Sequence, residues 1–94
     1  MKIKVSVIVS DWFEDNWIEF NEKKFTFFTL ESHSLLWTLH GYTGTHTSWG
    51  AELVESFDLA PGFDARSLIE KLDIREIKSH GGSCRSIESL FRNG

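Results

Sequence analysis

The chain predicts an α+β domain: an antiparallel β-meander of about four strands followed by two or three short helices packed on the sheet. Three observations lead there. The first half alternates apolar and polar residues with the period of strands. After residue 47 the apolar spacing lengthens toward that of helices. Eight Phe, four Trp and one Tyr in 94 residues supply the bulk that a small sheet needs for a core.

Residues 2–10 set Ile3, Val5, Val7 and Val9 against Lys2, Lys4 and Ser6, as a strand with one buried face does. Ile8 falls on the other face and predicts some cover there. Residues 16–20 and 24–31 read as two further strands joined by the polar turn Asn21-Glu22-Lys23-Lys24. Phe25, Phe27 and Thr29 share one face, Phe28 and Leu30 the other. A helix competes for residues 11–22, because Asp11 and Glu14 form a capping-box pattern and Phe13, Trp17 and Phe20 recur at helical spacing. The hairpin is preferred, since Phe, Thr and Trp suit strands better.

A fourth strand spans Ser34 to Tyr42, with Leu35, Trp37 and Leu39 on one side and Leu36, Thr38, His40 and Tyr42 on the other. Gly41 and Gly44 end it in a polar loop. Thr47 or Ser48 then caps a predicted helix through Trp49, Leu53, Val54 and Phe57. Pro61-Gly62 breaks the chain. Asp64 caps the strongest helix signal, Ala65, Leu68, Ile69 and Leu72 at i, i+3, i+4 and i+7. Residues 74–78 fit a strand or more helix, Gly81-Gly82 forces a loop, and Ile87, Leu90 and Phe91 mark a closing helix. Residues 1–94 read as one domain without repeats or linkers.

Composition narrows the function. Charged residues make up 26% and hydrophobic residues 40%, a globular balance far from disorder. Cys84 is the single cysteine, which excludes an internal disulfide framework and points to a reducing, cytoplasmic setting. Lysines interrupt the apolar residues of the N-terminal stretch, so it reads as neither signal peptide nor membrane span. The net charge of −4 is unevenly spread. Residues 11–22 hold Asp11, Glu14, Asp15, Glu19 and Glu22 with no Lys or Arg, and residues 52–64 hold Glu52, Glu55, Asp58 and Asp64, again without a cation. Carboxylates repel phosphate backbones, so nucleic acid is disfavoured as a partner and a basic protein is favoured.

Three chemical sites are conceivable. His40, His46, His80 and Cys84 are residue types that zinc accepts, in glycine-containing loops, although no CxxC accompanies them. Ser79-His80-Gly81-Gly82-Ser83-Cys84-Arg85 places a thiol beside a cation near a predicted helix start, where its pKa falls. His33, His40, His46, His80 and Lys78 supply the groups of an acid–base nuclease, which the acidic segments oppose. None completes a catalytic motif, and no cofactor is called for.

The aromatic feature weighs more. Trp12, Phe13 and Trp17 lie in the acidic run Asp11-Trp12-Phe13-Glu14-Asp15-Asn16-Trp17, where rings supply desolvated area and carboxylates select a basic partner. The predicted contact surface is Trp12, Glu14, Asp15, Trp17 and Glu19, extended by Trp49, Glu52 and Glu55. A second mode is pairing of an exposed edge strand with a partner or a second copy. This profile, short, acidic and Trp-rich, is similar to that of bacterial immunity proteins, antitoxins and phage-encoded inhibitors. The similarity is one of composition and implies a protein that covers the working surface of another, not an enzyme.

Overall fold

A computed structural model describes residues 1–33, 36–44 and 50–79. They form a six-stranded mixed sheet with one α-helix, 65% strand against 14% helical. The strands are β1 (Lys2–Val9), β2 (Trp12–Glu19), β3 (Phe27–His33), β4 (Leu36–Gly44), β5 (Ala51–Leu59) and β6 (Ile74–Ser79); the helix α1 is Ala65–Lys71. Across the sheet they run β2-β1-β5-β4-β3-β6. Only β3 and β6 pair in parallel; the other neighbours are antiparallel.

Two crossovers follow from that order. β2 and β3 point the same way and are joined by residues 20–26, which include a 3-10 turn at Glu22–Lys24. β5 and β6 also point the same way and are joined through α1. Both crossovers pack on one face of the sheet, called the inner face here. There Ile3, Val5, Phe28, Leu30, Trp37, Leu39 and Leu59 meet Phe20 and Phe25 of the first crossover and Phe63, Ala65, Leu68 and Leu72 of the second. Phe20 stacks on Phe25 at 5.6 Å and meets Phe57 edge-on at 5.3 Å, favoured ring geometries. Gly41 makes this possible. A Cβ on Gly41 would lie 2.5 Å from the Phe25 ring, so only glycine lets the ring lie on β4.

The outer face is polar where β3, β4 and β5 run side by side. Thr38 donates to Asp58 at 3.0 Å, and His40 lies between Ser56 and Glu31. Phe27 is buried on this face against Tyr42, the rings parallel at 4.9 Å.

The fold class is therefore a correction: not a four-strand meander with two or three helices, but a mostly-sheet domain with one helix among the described residues. The helix predicted from residue 47 is β5. The β4–β5 register shifts between Gly41 and Tyr42, inserting one extra residue opposite that step. The insertion breaks the period of two and leaves Leu53, Val54 and Phe57 at helix-like spacing. The helix reading of residues 11–22 fails and the strand reading of 16–20 holds in type, but the partner differs, since Trp12–Glu19 pairs with β1 along its whole length and not with residues 24–31. Asn21, read as part of a hairpin turn, instead caps the 3-10 turn that starts the crossover. The helix over Asp64–Leu72 is as predicted, the ambiguous residues 74–78 are strand, and the closing helix at Ile87–Phe91 lies outside the described residues.

Candidate interaction surface

β1 and β2 form a tight hairpin in which Val9 opposes Trp12 and Ile8 opposes Phe13. Ser10 and Asp11 are its two turn residues, with φ of 48° and 66°. A two-residue turn between right-twisted strands demands positive φ at both positions, so both residues accept a left-handed backbone without glycine. Asp is enriched in this conformation because its short side chain bonds locally.

The base of the hairpin belongs to the sheet and the tip does not. β1 pairs with β5 only at Val5–Leu59, next to the bond from the Ala60 amide to the Lys4 carbonyl. Beyond Ser6 the two strands part. Val7 still packs against the core; beyond it the hairpin is a two-stranded arm whose tip carries large apolar side chains in water. Ile8 is 71% exposed, Val9 44%, Trp12 69% and Phe13 62%, and Trp17, opposite Lys4 at the base of the hairpin, is 64% exposed. Single exposed apolar residues are ordinary on a folded surface, but five in one hairpin are not.

Strand parity divides the predicted contact residues. Trp12 and Glu14 lie on the face of the hairpin that continues the inner face, with Val7 and Val9 opposite. Asp15, Trp17 and Glu19 lie on the other, with Ile8 and Phe13. The two tryptophans therefore belong to opposite sides of one arm. Glu52 and Glu55 lie on β5, across the gap where β1 and β5 diverge. Trp49 lies outside the described residues. Sequence reasoning missed Val9, Leu53 and Val54 as exposed apolar residues, and it read Ile8 as partly covered.

The carboxylates are not equivalent. Glu19 accepts from the Met1 ammonium at 2.8 Å, and that hydrogen bond, reinforced by the ammonium charge and by Lys2, holds its pKa below the ordinary value. Glu55 takes the Lys24 ammonium at 3.2 Å, and Asp15 stands 3.8 Å from Lys4. Glu14, near the tip, has no ion-pair partner among the described residues. The charge offered to a partner thus concentrates at Asp11 and Glu14, on or beside the Trp12 side of the arm.

Two other places are less able to act. A cavity of about 170 Å³ opens between the start of β1 and α1, lined by Lys2, Lys4, Trp17, Phe63 and Lys71 among others. Its cations already face carboxylates: Lys4 faces Asp15, and Lys71 lies near Asp64. On the outer face, His40 Nδ1 is 2.7 Å from Ser56 Oγ and Nε2 is 3.2 Å from Glu31 Oε1. A carboxylate accepts, so Nε2 donates and Nδ1 of a neutral ring accepts the Ser56 proton. This orients a serine, a histidine and an acid as acyl-transfer chemistry would, but on a central strand whose amides are engaged in the ladders to both sides. Glu31 also holds His33 at 3.0 Å. Among the described residues no three His, Cys, Asp or Glu are disposed to hold a metal ion. Of the predicted His/Cys set only His40 is described; His46, His80 and Cys84 lie outside the described residues.

No protein-family model, no characterised protein sequence and no solved structure matches the chain. No helix among the described residues is long and apolar enough to cross a membrane.

Proposed function

We propose that this protein works by contact, as a small acidic binding module that occupies a basic surface of another protein, in the cytoplasm, and thereby inhibits or sequesters it. The carrying observation is the β1–β2 arm, with Trp12, Phe13 and Trp17 exposed among carboxylates. Rings of this size bury about 150–250 Å² each. At about 25 cal/mol per Å², two of them supply several kcal/mol of association, on the scale of a binding hot spot. The carboxylates at Asp11 and Glu14 add rate and selectivity, because they draw in basic surfaces and repel acidic ones.

The test is affinity capture by the tagged chain from a lysate of its own cells, at low and at moderate salt, beside the variant Trp12→Ser/Phe13→Ser. One basic protein, held in equal amount by the wild type, weakened by salt and lost by the variant, supports the reading. Equal recovery by both forms refutes it.

A further inference from the structure

The fork between β1 and β5 has a second property, independent of its side chains. The Ala60 amide points toward β1 and bonds to the Lys4 carbonyl. Main-chain groups alternate sides along a strand, so those of Asp58 and Ser56 point toward β1 as well. By the same alternation the main-chain groups of Ser6 and Ile8 point toward β5. In a continued ladder Ile8 would face Ser56. The Val5–Leu59 position is the only one between these strands and is closed by the Ala60–Lys4 bond on one side and by Ser6 and Asp58 on the other, so the ladder stops there and the Ile8–Ser56 pair does not form. Among the described residues, then, two strands within the sheet each present an unpaired edge, a feature that natural sheets usually block or cover.

The edges are also open to solvent. Ala51 to Ser56 of β5 are exposed, with Leu53 at 52% and Val54 at 40%, and so are Ile8 and Val9 of β1. The charge is one-sided. Residues 6–17 contribute Asp11, Glu14 and Asp15, and β5 contributes Glu52, Glu55 and Asp58, with no Lys or Arg in either segment; Lys4 pairs with Asp15 and Lys24 with Glu55, which leaves Asp11, Glu14, Glu52 and Asp58 without an ion pair among the described residues. We infer that this fork is a strand-addition site: an extended, basic segment of the partner protein pairs with the free edge of β5, with the aromatic arm closing over it. The inference rests on the proposed function and adds the recognition mode, in which main-chain bonds supply register and alternate side chains supply selectivity.

Charge argues against a second copy as occupant. Self-pairing of β5 would bring two rows of carboxylates together, and pairing with another copy's β2 would do the same. The remaining edge, β6, carries Arg75 and Lys78, but Asp73 and Glu76 already neutralise them at 2.8 and 3.2 Å.

The probe is a synthetic peptide alternating Lys or Arg with Val, and the readout is amide hydrogen exchange of the intact chain by NMR. The peptide should slow exchange at Ser56 and Ile8, and the same peptide with Pro in place of Val should not. Ser56→Pro removes an N–H that faces the fork and leaves the β4 ladder intact, so it should weaken the peptide at least tenfold. Ser56→Ala, which removes only the side chain, should not. Peptide binding without slowed exchange at these amides, or undiminished binding by Ser56→Pro, overturns strand addition. If such binding is still lost in Trp12→Ser/Phe13→Ser, the contact reading itself survives. No binding at low salt overturns both. Slowed exchange at the same amides on raising protein concentration alone identifies a second copy as the occupant and overturns the basic segment.

Discussion

At the scale of single residues, three positions make the physics explicit. Asp64 caps α1: its carboxylate accepts from the Ser67 amide at 3.0 Å and from the Ser67 hydroxyl at 2.7 Å. Those two bonds hold its pKa below the ordinary value, the backbone bond contributing most. A carboxyl depressed in the folded state stabilises above its unfolded pKa, near 4, and loses that contribution as pH falls through the folded value. Asp64→Ala should therefore cost about 1 kcal/mol at neutral pH, and the gap between variant and wild-type Tm should close as pH drops below about 4. Gly41→Ala should cost about 1–3 kcal/mol in denaturant unfolding, because the new methyl must displace the Phe25 ring from β4. Ser32 and Trp37 face each other across β3 and β4, and among the described residues neither Ser32 Oγ nor Trp37 Nε1 has a hydrogen-bond partner. An orphaned buried hydroxyl destabilises, so Ser32→Ala should be neutral or stabilising by up to about 1 kcal/mol in the same measurement. A clear loss would reveal a partner for that hydroxyl.

At the scale of elements, the hairpin turn and β5 are the informative cases. Ser10 and Asp11 hold positive φ without being glycine. Replacing them with Asn-Gly relieves that cost, and the arm should gain on the order of 1 kcal/mol, read as slower amide exchange in β1 and β2. The same turn explains why the hairpin was not predicted. Ser-Asp carries no strong turn signal, and Asp11 with Glu14 imitates a helix start. β1, β4 and α1 were readable because nothing interferes with their periods: strict alternation in Ile3, Val5 and Val7, a Trp37/Leu39 face, and a capped i, i+3, i+4, i+7 stripe. β5 was not, because its bulge shifts the apolar residues onto a helical spacing. Strand order was also beyond the sequence, since it depends on two crossovers burying one common face. For the proposed contact surface, composition pointed to a segment whose Trp12, Phe13 and Trp17 are exposed, whereas parity, once the segment is a strand, separates Trp12 from Trp17.

At the scale of the whole molecule, the fold puts its resources on one face. Both crossovers, the aromatic cluster and α1 cover the inner face, while the outer face carries Thr38, Asp58, His40 and Ser56 where β4 and β5 run side by side. This arrangement leaves the hairpin beyond Val7 without support from the rest of the sheet. An unsupported two-stranded ribbon is marginal in water, so its exposed rings hold little of the fold together. Trp12→Ser and Phe13→Ser should accordingly change the stability of the domain by no more than about 0.5 kcal/mol, while the buried Trp37→Ala should cost about 3–5 kcal/mol. That contrast, in parallel thermal melts, separates residues kept for folding from residues kept for contact.

The most direct test of the contact account is titration calorimetry of the captured partner into wild type, Trp12→Ser, Phe13→Ser and Trp17→Ser, each first shown to melt as wild type does. The account predicts that substitution on at least one side of the arm weakens binding a hundredfold or more, and that added salt weakens the wild-type complex further. Affinities within threefold of wild type for all three variants would contradict it.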